Sequence, residues 1–286
     1  MLAIVGALVV IGTVFGGYLM EGGHLAVLIQ PIELMIIGGA AAGSLLISSP
    51  ISLLKAIVAQ VIGVVTKKDG TSTAEYIELL LLLFSLLKLA KSNPLAIEAH
   101  VENPAGSEIF TKFPTVLKNH HAIHFLCDTL KVQISSSLSP YDLEDLMDAD
   151  LNSTHEEEHQ APATITRVGD AMPGLGIVAA VLGVVITMGK LTQGKEVIGH
   201  SVAAALVGTF LGILASYGFM QPLAAKMESL LSDDAKYLSV IKTSLIALAK
   251  NCSPKVCVEF ARRTIPPTIR PSFDEVDKAT SSLGKT

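Results

Sequence analysis

The stretch Ala171-Met172-Pro173-Gly174-Leu175-Gly176-Ile177-Val178-Ala179-Ala180-Val181-Leu182-Gly183-Val184-Val185-Ile186-Thr187-Met188-Gly189 contains no Asp, Glu, Lys or Arg. Crossing a hydrocarbon core of about 30 Å takes roughly 20 apolar residues in a helix, so this segment reads as a membrane span. Three more segments share its character. Residues 1–20 carry no charge, 26–54 carry only Glu33, and 197–225 carry no Asp, Glu, Lys or Arg and a single histidine, His200. The composition agrees: of 286 residues, 50% are hydrophobic and 16% charged, with a mean hydropathy of +0.54. Soluble domains average roughly 25% charged residues. This balance excludes a disordered chain, a collagen and a secreted disulfide scaffold. A net charge of −5 leaves no basic field for nucleic acid. Cys127, Cys252 and Cys257 have neither the number nor the spacing of a disulfide framework or a metal site, and fit a reducing compartment.

The first span lacks a basic leader and is followed at once by a second apolar span, so it reads as a retained helix. The apolar run Leu79–Leu87 is too short to cross; it follows a Ser72-x-x-Glu75 capping box and reads as a helix buried in a folded domain. Another helix start stands at Ser139-Pro140-x-Asp142. A periodic stretch runs from Met227 to about Ala261, where Pro266-Pro267 and Pro271 are expected to stop it. Lys and Arg set the orientation. Nine of the 21 lie in 55–170, ten in 223–286, and two, Lys190 and Lys195, in the turn between the third and fourth spans. Near the spans, Lys55, Lys67, Lys68, Arg167, Lys226 and Lys236 face those two, which puts both termini and the long middle loop in the cytoplasm.

The expected fold is an all-α integral membrane protein. Its spans are 1–20, 26–50, 169–190 and 197–222, with a helical cytoplasmic domain at 51–168 and a helical cytoplasmic tail at 223–286. Small residues recur along each span. Ala204, Gly208, Gly212 and Ser216 follow one another at i+4 on the fourth, Gly176 and Ala180 mark the third, Gly39 and Gly43 the second, and Gly12 and Gly16 the first. Such stripes let helix backbones approach in membranes, either within one chain or between subunits. Between Ala171 and Gly189 of span three and throughout span four there is no Asp, Glu, Lys or Arg, so a pore here needs a carboxylate from elsewhere, Glu33 beside Pro31 being the single candidate in this chain. Pro173 is expected in the first turn of the third span and Pro222 at the close of the fourth, as boundary punctuation or as hinges.

Gly169-Asp170-Ala171-Met172-Pro173-Gly174-Leu175-Gly176, Val207-Gly208-Thr209-Phe210-Leu211-Gly212, Gly12-Thr13-Val14-Phe15-Gly16-Gly17-Tyr18, Gln30-Pro31-x-Glu33-Leu34, Glu102-Asn103-Pro104 and Arg270-Pro271-Ser272-Phe273 together resemble the MotA family of flagellar stator subunits, in order and over nearly the whole chain. The resemblance implies a non-enzymatic, inner-membrane ring, a pentamer in the family picture, around a MotB-like partner whose aspartate carries the ion. A FliG-like rotor switch protein would be its cytoplasmic target. It assigns Ala180, Thr209 and Pro173 to the wall of the ion path and Pro173 and Pro222 to conformational coupling. The sodium-driven branch has a threonine where this chain has Ala180, whose methyl group cannot ligate a hard cation; proton drive is therefore expected. The family's torque-bearing arginine is absent, leaving Lys88 and Lys91 with Glu98 as the rotor-interface charges. Lysine keeps the charge without the planar fork.

Other readings point elsewhere. An ExbB/TolQ-like energiser belongs to the same superfamily but has three spans. His155-Glu156-x-x-His159 matches the helix of zinc proteases, yet a third ligand and a cleft are missing from the pattern. His120, His121 and His124 read as surface and packing residues. No phosphate-cradling loop is present, and no cofactor or metal is implied.

Overall fold

The computed structural model describes residues 2–66, 70–136, 138–190, 192 and 194–283. Lys67 and Lys68, used in the orientation count, lie outside these, as does Met1. The described residues form helices and no strand. In chain order they are α1 (Leu2–Met20), α2 (Leu25–Leu28), α3 (Pro31–Ser48), α4 (Ile51–Thr66), α5 (Thr73–Ser92), α6 (Pro94–Glu102), α7 (Pro114–Leu117), α8 (His120–Ser135) and α9 (Pro140–Met188). There follow α10 (Lys195–Ala215), a π-helical segment Ser216–Met220, α11 (Gln221–Ala249), α12 (Pro254–Thr264) and α13 (Phe273–Leu283). Two compact units result, one from 1–68 and 158–230, the other from 69–157 and 231–286.

Among the described residues four helices are long and apolar enough to cross a membrane, Leu2–Met20, Leu25–Ser48, Pro140–Met188 and Lys195–Ala249, the last two continuing beyond the first unit into the second. Their large side chains stay exposed: no described residue of α1 is buried, and Ile177, Val178, Val181, Val185 and Ile186 of α9 face outward. Lipid or another chain must solvate them. A small core of Ile57, Val64, Ala161, Ile165, Ala224 and Met227 joins α4, α9 and α11.

The second unit has an ordinary water-excluding core. α5 starts at the expected capping box, with Ser72 Oγ accepting from Glu75 N and Glu75 Oε2 from Ser72 N. Its Leu79, Leu80, Leu82, Leu83, Leu86 and Leu87 are all buried. Burial pushes the Tyr76 hydroxyl up to about 12, helped by the charges of Asp233 and Asp234, while its ring stands 5.6 Å from that of Tyr237. Burial likewise pushes the Cys127 and Cys257 thiols to about 11, and all three cysteines are free.

Three expectations change. The tail is not one periodic run ending near Ala261. α11 stops in a Schellman turn, with Asn251 at φ 61°, Cys252 N donating to Ala247 O and Asn251 N to Leu248 O. Past Pro271 a further helix begins at a second capping box, Ser272 with Glu275. Nor do the two span prolines mark helix ends. Pro173 lies deep inside α9, well beyond its first turn, and Pro222 is the second residue of α11, where the helix continues.

Candidate functional site

A proline inside a helix removes one N–H and crowds the carbonyl four residues back. Pro162 and Pro173 both sit inside α9. For Pro162 the deprived carbonyl is Glu158 O, and Gln60 of α4 supplies the missing donor through Nε2 at 3.0 Å. Near Pro222 the widened π turn Ser216–Met220 ends one residue short of the ring, the kind of local adjustment that lets a helix absorb an irregularity. Gln221 Nε2 donates to Asp170 Oδ1 at 2.6 Å. A Cβ on Gly169 would stand 3.1 Å from that of Met220. The residues just before Pro173 and those just before Pro222 are therefore neighbours. Pro173 is half-buried and Pro222 exposed.

Above this level α9 and α10 touch backbone to backbone. A Cβ on Gly176 would lie 2.7 Å from Gly208 O and 3.3 Å from Thr209 Cα, and one on Gly212 only 2.6 Å from Met172 O. Those approaches require glycine. A Cβ on Gly208 would stand 3.3 Å from Ala180 N, so Ala180 and Thr209, both half-buried, flank the same seam. Into it comes a group from α3. Glu33 Oε2 lies 2.8 Å from where a Cβ on Gly208 would be, and Oε1 lies 3.7 Å from one on Gly183. Glu33 is 8% exposed, and among the described residues its Oε2 has no hydrogen-bond partner.

The expected rotor charges lie in the second unit. Lys88 and Lys91 on α5 and Glu98 on α6 are all exposed. Lys91 is engaged, donating from Nζ to Asn251 O at 3.1 Å and Cys252 O at 3.0 Å, just past the C-terminal end of α11. A cation there also meets the negative end of the helix dipole. His155 is exposed and His159 half-buried on α9, and the described residues contain no group of three or more His, Cys, Asp and Glu placed to hold a metal. The Glu33 contact, the Gln60 donor and the tethering of Lys91 are absent from the sequence reading. Only Glu33 carries a local signal, as an ionisable residue at membrane depth.

Residues 4–94 match the family described as Motility protein A N-terminal, and residues 118–239 match the MotA/TolQ/ExbB proton channel family. Motility protein A of Salmonella typhimurium is 39% identical over 280 residues, covering 97% of this chain and 94% of that one. Motility protein A of Escherichia coli matches to the same extent, and chemotaxis protein LafT of Vibrio parahaemolyticus is 36% identical over 96% of both chains. Among solved structures, a chain of C. jejuni MotAB superposes with a TM-score of 0.77 at 20% identity, covering 95% of this chain and 98% of that one. A chain of the flagellar MotAB stator complex from Bacillus subtilis gives 0.73 at 23%, covering 96% and 98%. The fold is thus the one those complexes share, and the identity to the enterobacterial proteins extends from end to end of it: this chain is a multi-pass membrane protein of the motility protein A family.

Proposed function

We propose that the chain is the ring-forming subunit of a proton-driven flagellar stator in the bacterial inner membrane. It walls an ion path with Ala180, Thr209 and Pro173, while a MotB-like partner brings the ion-carrying aspartate. Both termini, residues 51–168 and the tail 223–286 lie in the cytoplasm, and the ring is a pentamer. Its work is rotation coupled to ion flow, with no covalent change to catalyse.

One observation carries the reading. Gly12, Gly16, Gly39 and Gly43 sit on apolar helices, and a Cβ on any of them would meet nothing within 4 Å. Glycine weakens a helix by about 1 kcal/mol relative to alanine, so glycines facing open space have no use within one chain. They suit close approach by helices of another. The glycines between α9 and α10 are already consumed by packing inside the chain. Pro173 and Pro222, joined through Asp170 and Gln221, pass a change at the path to the cytoplasmic side. A FliG-like rotor protein then meets the exposed charges, Lys88 and Glu98 foremost, since Lys91 is occupied in capping α11.

The test is genetic. Deleting the gene in the source bacterium yields cells with assembled but paralysed flagella, and normal swimming in a strain with no second stator set refutes the reading. Swimming should stop with a protonophore; speed that instead tracks external sodium overturns the ion assignment.

A further inference from the structure

We infer that Glu33 is a proton-holding site of this chain's own, set in the seam of α3, α9 and α10 beside Ala180. Its place on an ion path rests on the stator reading; its ability to hold a proton does not. Four observations converge. Glu33 is the only Asp, Glu, Lys or Arg in 26–54, and α9 from Ala171 to Met188 and α10 beyond Glu196 add none. It is more than nine-tenths buried. Its Oε2 lacks any partner among the described residues. Finally, the wall it faces is glycine: a methyl on Gly208 would fall 2.8 Å from Oε2, so the seam has room for this carboxyl only because position 208 has no side chain.

An isolated ionised carboxylate at membrane depth is costly, while the neutral acid needs only one acceptor for its O–H. Among the described residues none stands against it as a counter-charge. The titratable groups on the elements packed around it are Lys195, Glu196 and His200 on α10, all exposed, His24 ahead of α2, and half-buried Lys190 just past α9, whose Nζ donates to Ser201 Oγ at 3.4 Å. His200 is eight residues from Gly208, about 12 Å along the helix. On α9 the nearest titratable residue toward the cytoplasmic end is Asp170, which accepts from Gln221. Glu33 therefore exchanges a proton with water arriving from the side of residues 21–24 and of Gly189 and Lys190, and with whatever carboxylate a neighbouring chain presents at Ala180. The exchange is a simple one, the carboxylate gaining H⁺ from one neighbour and losing it to the other.

The experiment uses the intact complex with its partner, purified and in vesicles, with the ring mass checked in each variant. Infrared difference spectra between high and low pH, taken with the partner's aspartate changed to Asn, should show a carboxyl C=O band that Glu33→Gln removes. Proton flux in Glu33→Gln, with the partner's aspartate intact, should fall roughly tenfold or more and lose one titration step from its pH profile. Glu33→Asp, which keeps an acid, should keep a titrating band and a shifted step. A Gln variant with wild-type flux and pH profile overturns the inference and leaves the stator reading standing, as does an Asp variant that behaves like Gln. A wild-type complex that passes no protons sinks the stator reading instead. The infrared band then decides Glu33 alone, its absence overturning the proton site. If the Gln ring fails to assemble, the same spectra on wild type and Glu33→Asp decide through the band: a shift between the two supports the site, and an unshifted band overturns it.

Discussion

The unit formed by 69–157 and 231–286 hides its large side chains, whereas the unit formed by 1–68 and 158–230 displays them. In the first, Leu79, Leu80, Leu82, Leu83, Leu126 and Leu130 are shielded from solvent, and water exclusion does the stabilising. In the second, Leu8, Val9, Val185 and Ile186 face outward while the contacts that matter are made by Gly176, Gly208 and Gly212. Lipid tails are as apolar as leucine, so hiding leucine gains little there, and close backbone approach takes over as the source of specificity. A buried leucine is thus essential in one unit where an outward-facing valine is dispensable in the other, and for a small residue in the α9–α10 seam the rule reverses.

The largest effect that would break this contrast is a core truncation. Leu126→Ala should cost about 2–5 kcal/mol, seen as faster amide exchange across α5 and α8 in the purified ring, whereas Val185→Ala should leave exchange in α9 unchanged. Next comes glycine. Gly212→Ala should cost about 1–3 kcal/mol by forcing α9 from α10, lowering the melting temperature of the complex. Gly16→Ala should leave the chain's own fold intact, and any loss it causes should appear as weakened assembly in native mass spectrometry.

A smaller effect separates the units by pH. Hydrogen bonding from Arg262, then Arg263, holds the Glu259 carboxyl down at about 2, with Arg262 also bonding Pro271 O. A carboxyl depressed in the folded state stabilises above its ordinary value near 4.3, and that stability is lost as pH falls from about 4 toward 2. Allowing for partial exposure, the contribution is on the order of 2 kcal/mol. Glu259→Gln should lower stability at neutral pH by that order and flatten the acid limb of an acid titration followed by tyrosine fluorescence. The smallest effect distinguishes two lysines. Lys91→Ala should loosen the end of α11 by about 0.5–1 kcal/mol, while Lys88→Ala should leave stability alone and reduce swimming on soft agar.

The spans are legible because the absence of charge over 20 residues is a local property. So is α5, whose capping box and leucine run need nothing beyond their own neighbourhood. α13 is equally legible, since Ser272-x-x-Glu275 is the same signal as Ser72-x-x-Glu75; the prolines before it end one helix without forbidding the next. The continuity of α9 and of α10 into α11 is not legible. Whether a proline ends a helix depends on who supplies the lost hydrogen bond, and Gln60 is 98 residues from Glu158. The candidate site shows the same limit. Depth marks Glu33 as unusual, but its meeting with Gly183 and Gly208 depends on the register of three helices far apart in sequence. The exposed Lys91 reads as a free charge because the turn it caps lies 160 residues away.

The bond from Gln60 to the carbonyl opposite Pro162 also has a direction in time. α4 leaves the ribosome about a hundred residues before that part of α9, and the later helix has a gap in its ladder until the earlier one stands beside it. The earlier helix thus waits for its complement, and a circular permutant that makes 158–230 first would have to form this turn of α9 with only water to satisfy the carbonyl opposite Pro162.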